Sequence, residues 1–202
     1  RGGARELWTP RFTYHGFRYV ELSRLPFEPT KQTLTGLALS AATRDVGAFA
    51  CSDETINRLV ELARWSLRSN SMDVPTDCPQ RDERLGWLGD AQLFAPSALW
   101  LADLERLYAK WCRDLAEALR PDGSFPAVAP AGDIVASGGP GWDEAGVLVP
   151  MTLYAHAGDE QRLERDLRSC ARFMLARSRA AREPGWLDGI DAPYGDWNAR
   201  EE

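Results

Sequence analysis

The pattern of apolar and polar positions changes once along the chain. Residues 7–39 carry short alternating, β-prone stretches: Phe12-Thr13-Tyr14, then Phe17-Arg18-Tyr19-Val20-Glu21-Leu22, with His15-Gly16 as a turn between them. Leu34 to Leu39 is a further candidate strand, and Pro26 and Pro29 interrupt the stretch. This reads as the last strands of a β-sandwich. From about residue 52 the period becomes helical. Ser52 is placed to cap a helix, with Asp53 and Glu54 at its positive end, and Ile56, Leu59, Val60, Ala63 and Leu67 follow at helical spacing. Residues 71–89 hold Pro75, Pro79, Gly86 and Gly89 and predict a long loop. The apolar run from Ala91 to Leu101 predicts a largely buried helix, and Leu104 to Leu119 a more amphipathic one that stops at Pro121-Asp122-Gly123. Residues 124–141 are a Pro- and Gly-rich loop. The same order returns, apolar from Glu144 to Ala157 and amphipathic from Glu160 to Ala181, before Pro184-Gly185.

This order is a repeat. Asp90, Asp143 and Asp196 stand 53 residues apart, and Pro96 and Pro150 stand 54 apart. After each of the first two aspartates come an apolar helix, a short break (Ala102-Asp103, then Gly158-Asp159), an amphipathic helix and a Pro/Gly loop. Each unit predicts an αα-hairpin with one inner and one outer helix. A closed ring of hairpins suits inner helices that are apolar all round, because every side is covered. In such a ring the residues that open the inner helices converge on the axis, which predicts that Asp90, Trp142, Asp143, Glu144, Asp196 and Trp197 face a common cavity. An open superhelical repeat is the structural alternative.

Composition narrows the function. There are 24 basic and 30 acidic residues, and the basic ones are dispersed, so no nucleic-acid footprint is expected. No apolar run has the length of a membrane span. Cys51, Cys78, Cys112 and Cys170 lie far apart and only His15 and His156 offer imidazoles, so no metal is expected. Unpaired cysteines lean toward a cytoplasmic location, and a secreted parent is also consistent. Eight tryptophans are many for 202 residues. They fill cores, and they also stack on the apolar faces of sugar rings.

The densest chemistry lies in Asp77-Cys78-Pro79-Gln80-Arg81-Asp82-Glu83-Arg84-Leu85-Gly86-Trp87-Leu88-Gly89-Asp90. Cleavage of a glycosidic bond needs one carboxylic acid to protonate the leaving oxygen and a second carboxylate as nucleophile or base. The acid must hold a proton near neutral pH, which burial or neighbouring negative charge promotes. Asp77, Asp82 and Asp90 around Glu83 supply such charge, and Arg81 and Arg84 act against it. A solvated loop with internal salt bridges is the plain alternative.

Val74-Pro75-Thr76-Asp77-Cys78-Pro79-Gln80-Arg81-Asp82-Glu83-Arg84-Leu85-Gly86-Trp87, with Gly89-Asp90-Ala91-Gln92, closely resembles the signature of bacterial α-L-rhamnosidases, glycoside hydrolase family 78. Trp8 to Tyr19 resembles the end of that family's β-sandwich, Gly47 to Asn57 its barrel entry, and Lys110 to Asp114 and Gly195-Asp196-Trp197 also fit. The resemblance implies a mainly α fold: a partial (α/α)6 barrel over residues 46–202, preceded by a few strands of a sandwich over residues 1–45. It implies inverting hydrolysis of terminal α-L-rhamnosides, without a cofactor, on a rhamnose-containing oligosaccharide or glycoside. Carried over by position, Glu83 would be the general acid. Asp77, Arg81 and Asp90 would bind rhamnose hydroxyls, and Trp87, Trp142 and Trp197 would form apolar walls. The family has Trp-Gly-Asp-Ala where this chain has Trp142-Asp143-Glu144-Ala145, which leaves the roles of residues 143 and 144 open. A noncatalytic sugar-binding fragment and another (α/α)6 glycosidase are the alternatives.

The chain begins at Arg1 and stops soon after Trp197-Asn198, so a piece of a longer protein is expected. Six 53-residue hairpins need roughly 320 residues. The family's general base, a glutamate late in the barrel, is expected outside this chain, because Glu201 and Glu202 do not match it. The 202 residues alone are therefore expected to be inactive.

Overall fold

A computed structural model describes residues 6–41, 44–132 and 138–181. It is mainly helical, with α1 at Glu54–Ser69, α2 at Leu88–Leu101, α3 at Glu105–Ala118, α4 at Ala145–Ala157 and α5 at Glu160–Ala180. The helix order predicted from hydrophobic periodicity is the order observed.

Helix α1 begins one residue later than expected. Asp53, not Ser52, is the cap, and its carboxylate accepts from the backbone N–H groups of Thr55 and Ile56. A carboxylate also suits the positive helix end better than a hydroxyl does. The segment before α1 is tied across two helices. Asp45 pairs with Arg64 and Arg68, and buried Arg64 donates to Gly47 O and Leu101 O. Of the expected apolar stripe on α1, Leu67 is buried and Val60 and Ala63 are half-buried, while Ile56 and Leu59 are exposed.

Helices α2 and α3 follow one another as a first inner–outer pair and α4 and α5 as a second, and α4 packs against α2, α3 and α5. The inner helices α2 and α4 are apolar around their circumference, whereas α3 and α5 carry polar outer faces. Leu88, Ala95, Ala98 and Leu99 of α2 meet Tyr108, Trp111 and Leu115 of α3 and Val149 and Leu153 of α4 in one core. Leu93 and Trp100 of α2 and Leu148 and Met151 of α4 point away from it and are exposed. No helix among the described residues is long and apolar enough to cross a membrane.

The paired prolines lie inside the two inner helices. Proline cannot return a bond to the carbonyl four residues earlier. For Pro150 that carbonyl belongs to Gly146, and it accepts instead from the Cys170 thiol of α5 at 3.3 Å. The missing bond of one helix thus becomes a contact to the next. Gly146 also lies under the Phe125 ring, in space that a Cβ would need. Helix α4 ends at Gly158, which has φ +68° and bonds back to Tyr154 O.

Two expectations are not met among the described residues. The strands over residues 7–39 do not form among the described residues: the segment has no ladder, and Phe12, Phe17 and Tyr19 are exposed. A strand is stable only when its backbone groups pair with a neighbour, and no neighbouring strand is present among these residues. Asp143, expected to face a cavity, is buried and ion-paired with Arg177 of α5. The repeat placed Asp90 and Asp143 alike at the mouths of α2 and α4, but α5 ends against the second mouth.

Adding a methyl at Gly146 gains about 1 kcal/mol of helix propensity, but it drives Cβ into a fully buried aromatic ring, which costs up to about 3 kcal/mol. Gly146→Ala is expected to lower the urea midpoint. An unchanged or higher midpoint would contradict the close approach. The Asp143 side chain is 2% exposed and Arg177 is 21% exposed. Arg177→Ala strands a buried carboxylate and is expected to cost about 3–5 kcal/mol. The double change Arg177→Met with Asp143→Leu should cost markedly less, and equal losses would rule out the uncompensated charge as the cause.

Candidate active site

The acidic segment is held at both ends. At its start, Asp77 N–H donates to Leu85 O at 3.0 Å, and the Asp77 carboxylate accepts from Leu85 N–H at 2.9 Å. These two bonds close residues 77–85 into a loop. At its end, Ala129 N–H donates to Gly86 O and Leu88 N–H donates to Ala127 O, each at 2.9 Å. The indole N–H of buried Trp111 on α3 caps Ala129 O at 2.9 Å. Gly86 is required here, since a Cβ would collide with Ala129 O. Residues 125–129, predicted only as loop, are buried because their backbone groups find these partners. No sequence signal marked Ala127 and Ala129 as supports of the site, because they act through backbone atoms on partners about 40 residues away, and the resemblance over Lys110 to Asp114 did not show that the Trp111 indole caps Ala129.

Inside this frame Glu83 is half-buried. Its Oε1 accepts from Trp87 Nε1–H at 2.8 Å, and its Oε2 ion-pairs with Arg81. Arg81 also lies 3.9 Å from Asp77 Oδ2. One guanidinium thus stands between two carboxylates. Asp77, Cys78 and Glu83 bring potential ligand atoms within 4.8 Å of one another, but Arg81 already supplies positive charge there. Burial raises the Cys78 pKa, so its thiol holds its proton more tightly than a free cysteine does.

Asp77 and Asp90 line one cavity of about 270 Å³, together with Ser66, Leu67, Phe94 and Tyr108. Asp90 lies in the first turn of helix α2. Desolvation raises its pKa, and the negative charges of Asp77 and Glu83 add to the rise. Trp142 does not line this cavity. Its indole packs on Gly89, where a Cβ would lie 2.8 Å from Nε1, and Gln92 Nε2–H donates to Gly141 O at 2.6 Å to tie the Trp142 loop to α2. Glu144 accepts from Gly141 N–H at 2.8 Å and so shapes the same loop. The structure therefore gathers Asp77, Arg81, Glu83, Trp87 and Asp90 on one segment and sets Trp142 beside it. Trp197 lies outside the described residues.

Among the described residues all four cysteines are free, Cys51 exposed and the other three buried.

A raised carboxyl pKa in the folded chain means that folding favours the protonated form. That contribution is complete below the unfolded-state pKa and is lost as pH rises through the raised folded value. Asp90→Asn removes the loss. Thermal melts from acidic to neutral pH should show the variant gaining on the parent as pH rises, and a gain confined to acidic pH would overturn the assignment.

Residues 44–202 match the model of the bacterial α-L-rhamnosidase six-hairpin glycosidase domain, and residues 1–40 match the bacterial α-L-rhamnosidase concanavalin-like domain. An α-L-rhamnosidase of Streptomyces avermitilis is 40% identical over 197 residues, covering 98% of this chain and 19% of its own length. One from Formosa agariphila is 40% identical over 161 residues, covering 78% of this chain and 17% of its own. The chain thus spans about a fifth of the curated relatives it matches. The α-L-rhamnosidase structure from Dictyoglumus thermophilum superposes with TM-score 0.82 at 39% identity, over 87% of this chain and 20% of that one. The Streptomyces avermitilis enzyme complexed with L-rhamnose gives 0.81 at 39%, over 86% and 17%.

Proposed function

We infer function from one premise: this chain belongs to the bacterial α-L-rhamnosidase six-hairpin glycosidase family. We propose that it contributes the acid side of an active site that hydrolyses terminal α-L-rhamnosides with inversion. The observation that carries this reading is Glu83, held between Trp87 Nε1–H and Arg81 in a loop closed by Asp77 and Leu85. A glycosidic leaving group departs poorly as an alkoxide, so a carboxylic acid must deliver a proton to it as the bond breaks. In this proposal Glu83 is that acid. Trp87 fixes Oε1, which leaves Oε2 to address the glycosidic oxygen once a sugar hydroxyl takes up Arg81. Asp77, Arg81 and Asp90 hold the hydroxyls, with Asp90 at the cavity it shares with Asp77. Trp87 and Trp142 supply flat apolar surface for the ring and its C6 methyl, and Trp197 is a third candidate wall.

Inversion requires a second carboxylate that activates water on the opposite face, about 6.5–9.5 Å from the acid. We assign it to a part of the barrel beyond these 202 residues. The exposed apolar positions Leu93, Trp100, Leu148 and Met151 on the inner helices are consistent with further hairpins covering them. Residues 1–45 then belong to a sandwich domain that precedes the barrel.

The test uses a chain of the relatives' full length. Glu83→Gln should lower kcat on aryl α-L-rhamnosides by about 10²–10⁴-fold, with the greater loss for poorer leaving groups. The first-formed sugar, followed by NMR, should be β-L-rhamnose. A loss independent of the leaving group, or α-L-rhamnose as first product, would refute the assignment.

A further inference from the structure

The residue after Glu83 holds an unusual conformation. Arg84 has φ +51°, in the left-handed region that a side chain disfavours. Such a residue persists only where its surroundings hold it, and here the holder is distant in sequence. Arg84 Nη1–H donates to the backbone carbonyl of Tyr14 at 2.8 Å, and the guanidinium stacks on the Tyr14 ring, 4.5 Å from its centroid. Tyr14 is the one residue of 6–32 that is not exposed. Two positions further on, Gly16 lies against Pro79 and Gln80 so closely that a Cβ would sit 2.9 Å from Gln80 Cα. The N-terminal segment therefore touches the acidic loop at three of its residues.

The contact continues toward Glu83. Arg84 Nε–H donates to Arg81 O at 2.9 Å, and Arg81 forms the ion pair with Glu83. Tyr14 thus fixes Arg84, and Arg84 fixes the backbone of the residue that pairs with the acid. Glu83 lies between the two braced positions.

We propose that Tyr14 and Arg84 are positioning residues, a brace through which the N-terminal segment sets the backbone of residues 81–85 and with it the aim of Glu83. Its link to catalysis rests on Glu83 being the acid, while the brace itself is a mechanical statement with its own readout. The same contact makes the N-terminal segment part of the working site.

The experiment uses the full-length chain with Tyr14→Ala, Arg84→Gly, the conservative Tyr14→Phe and the control Phe17→Ser, an exposed neighbour outside the brace. Hydrogen exchange is followed at the amides of residues 82–85, including Leu85 N–H, which donates to Asp77. Tyr14→Ala and Arg84→Gly should speed exchange there by about tenfold or more, while Tyr14→Phe and Phe17→Ser leave it at the parent rate. Unchanged exchange in Tyr14→Ala and Arg84→Gly overturns the brace whatever the activity. With exchange raised, kcat on rhamnosides with poor leaving groups should fall about tenfold, with KM little changed and activated leaving groups spared. Raised exchange with an equal loss for all leaving groups overturns the link to Glu83. If Glu83→Gln is itself insensitive to the leaving group, the acid assignment fails, and exchange alone decides the brace.

Discussion

The structure depends on one backbone junction. Gly86 and Leu88 bond to Ala129 and Ala127, and the Trp111 indole closes the junction from α3. It fixes the exit of the acidic loop and the start of α2 at once. It also supplies partners for the backbone of residues 125–129, without which burying that stretch would be prohibitively costly. Phe125, carried by the same stretch, can then fill the space over Gly146 and join the two hairpins. A loop rich in Pro and Gly becomes core because its polar atoms are satisfied.

The two hairpins share a plan and divide its uses. Both inner helices contain a proline, and each has an aspartate at its start, Asp90 in the first turn of α2 and Asp143 just before α4. At α2 the aspartate borders an open cavity and its pKa is pushed upward by burial. At α4 the equivalent Asp143 is neutralised by Arg177 and removed from solvent. A buried pair of this kind fixes the mutual placement of α4 and α5 more than it adds stability, because desolvation offsets much of the Coulomb attraction. One repeat position thus borders the candidate site and the other fastens the frame behind it.

The acidic loop works by ordering donors around carboxylates. Trp87 and Arg81 take the two oxygens of Glu83, and Leu85 N–H takes Asp77. Each donor comes from within eight residues, so the local arrangement is compact. The orientation of the loop as a whole is set from outside, by Ala129 on one side and by Tyr14 on the other. Preorganisation of this kind lets a site stabilise developing charge without rearranging its dipoles during reaction.

The sequence alone determined the helices, because the alternation of apolar and polar positions at 3.6-residue spacing is a local property. It also determined the two-hairpin repeat and the segment where carboxylates, arginines and tryptophan concentrate. It left undecided what depends on distant partners. Residues 7–39 have strand-like alternation, yet alternation without a neighbouring strand leaves the backbone unpaired. Asp143 has the repeat position of Asp90, yet Arg177, 34 residues later, decides its environment. Trp87 read as an apolar wall, but its N–H on Glu83 emerged only when the loop closed. The left-handed Arg84 and its Tyr14 partner left no pattern at all. Such features are long-range pairings of single atoms, and only the tertiary structure brings those atoms together.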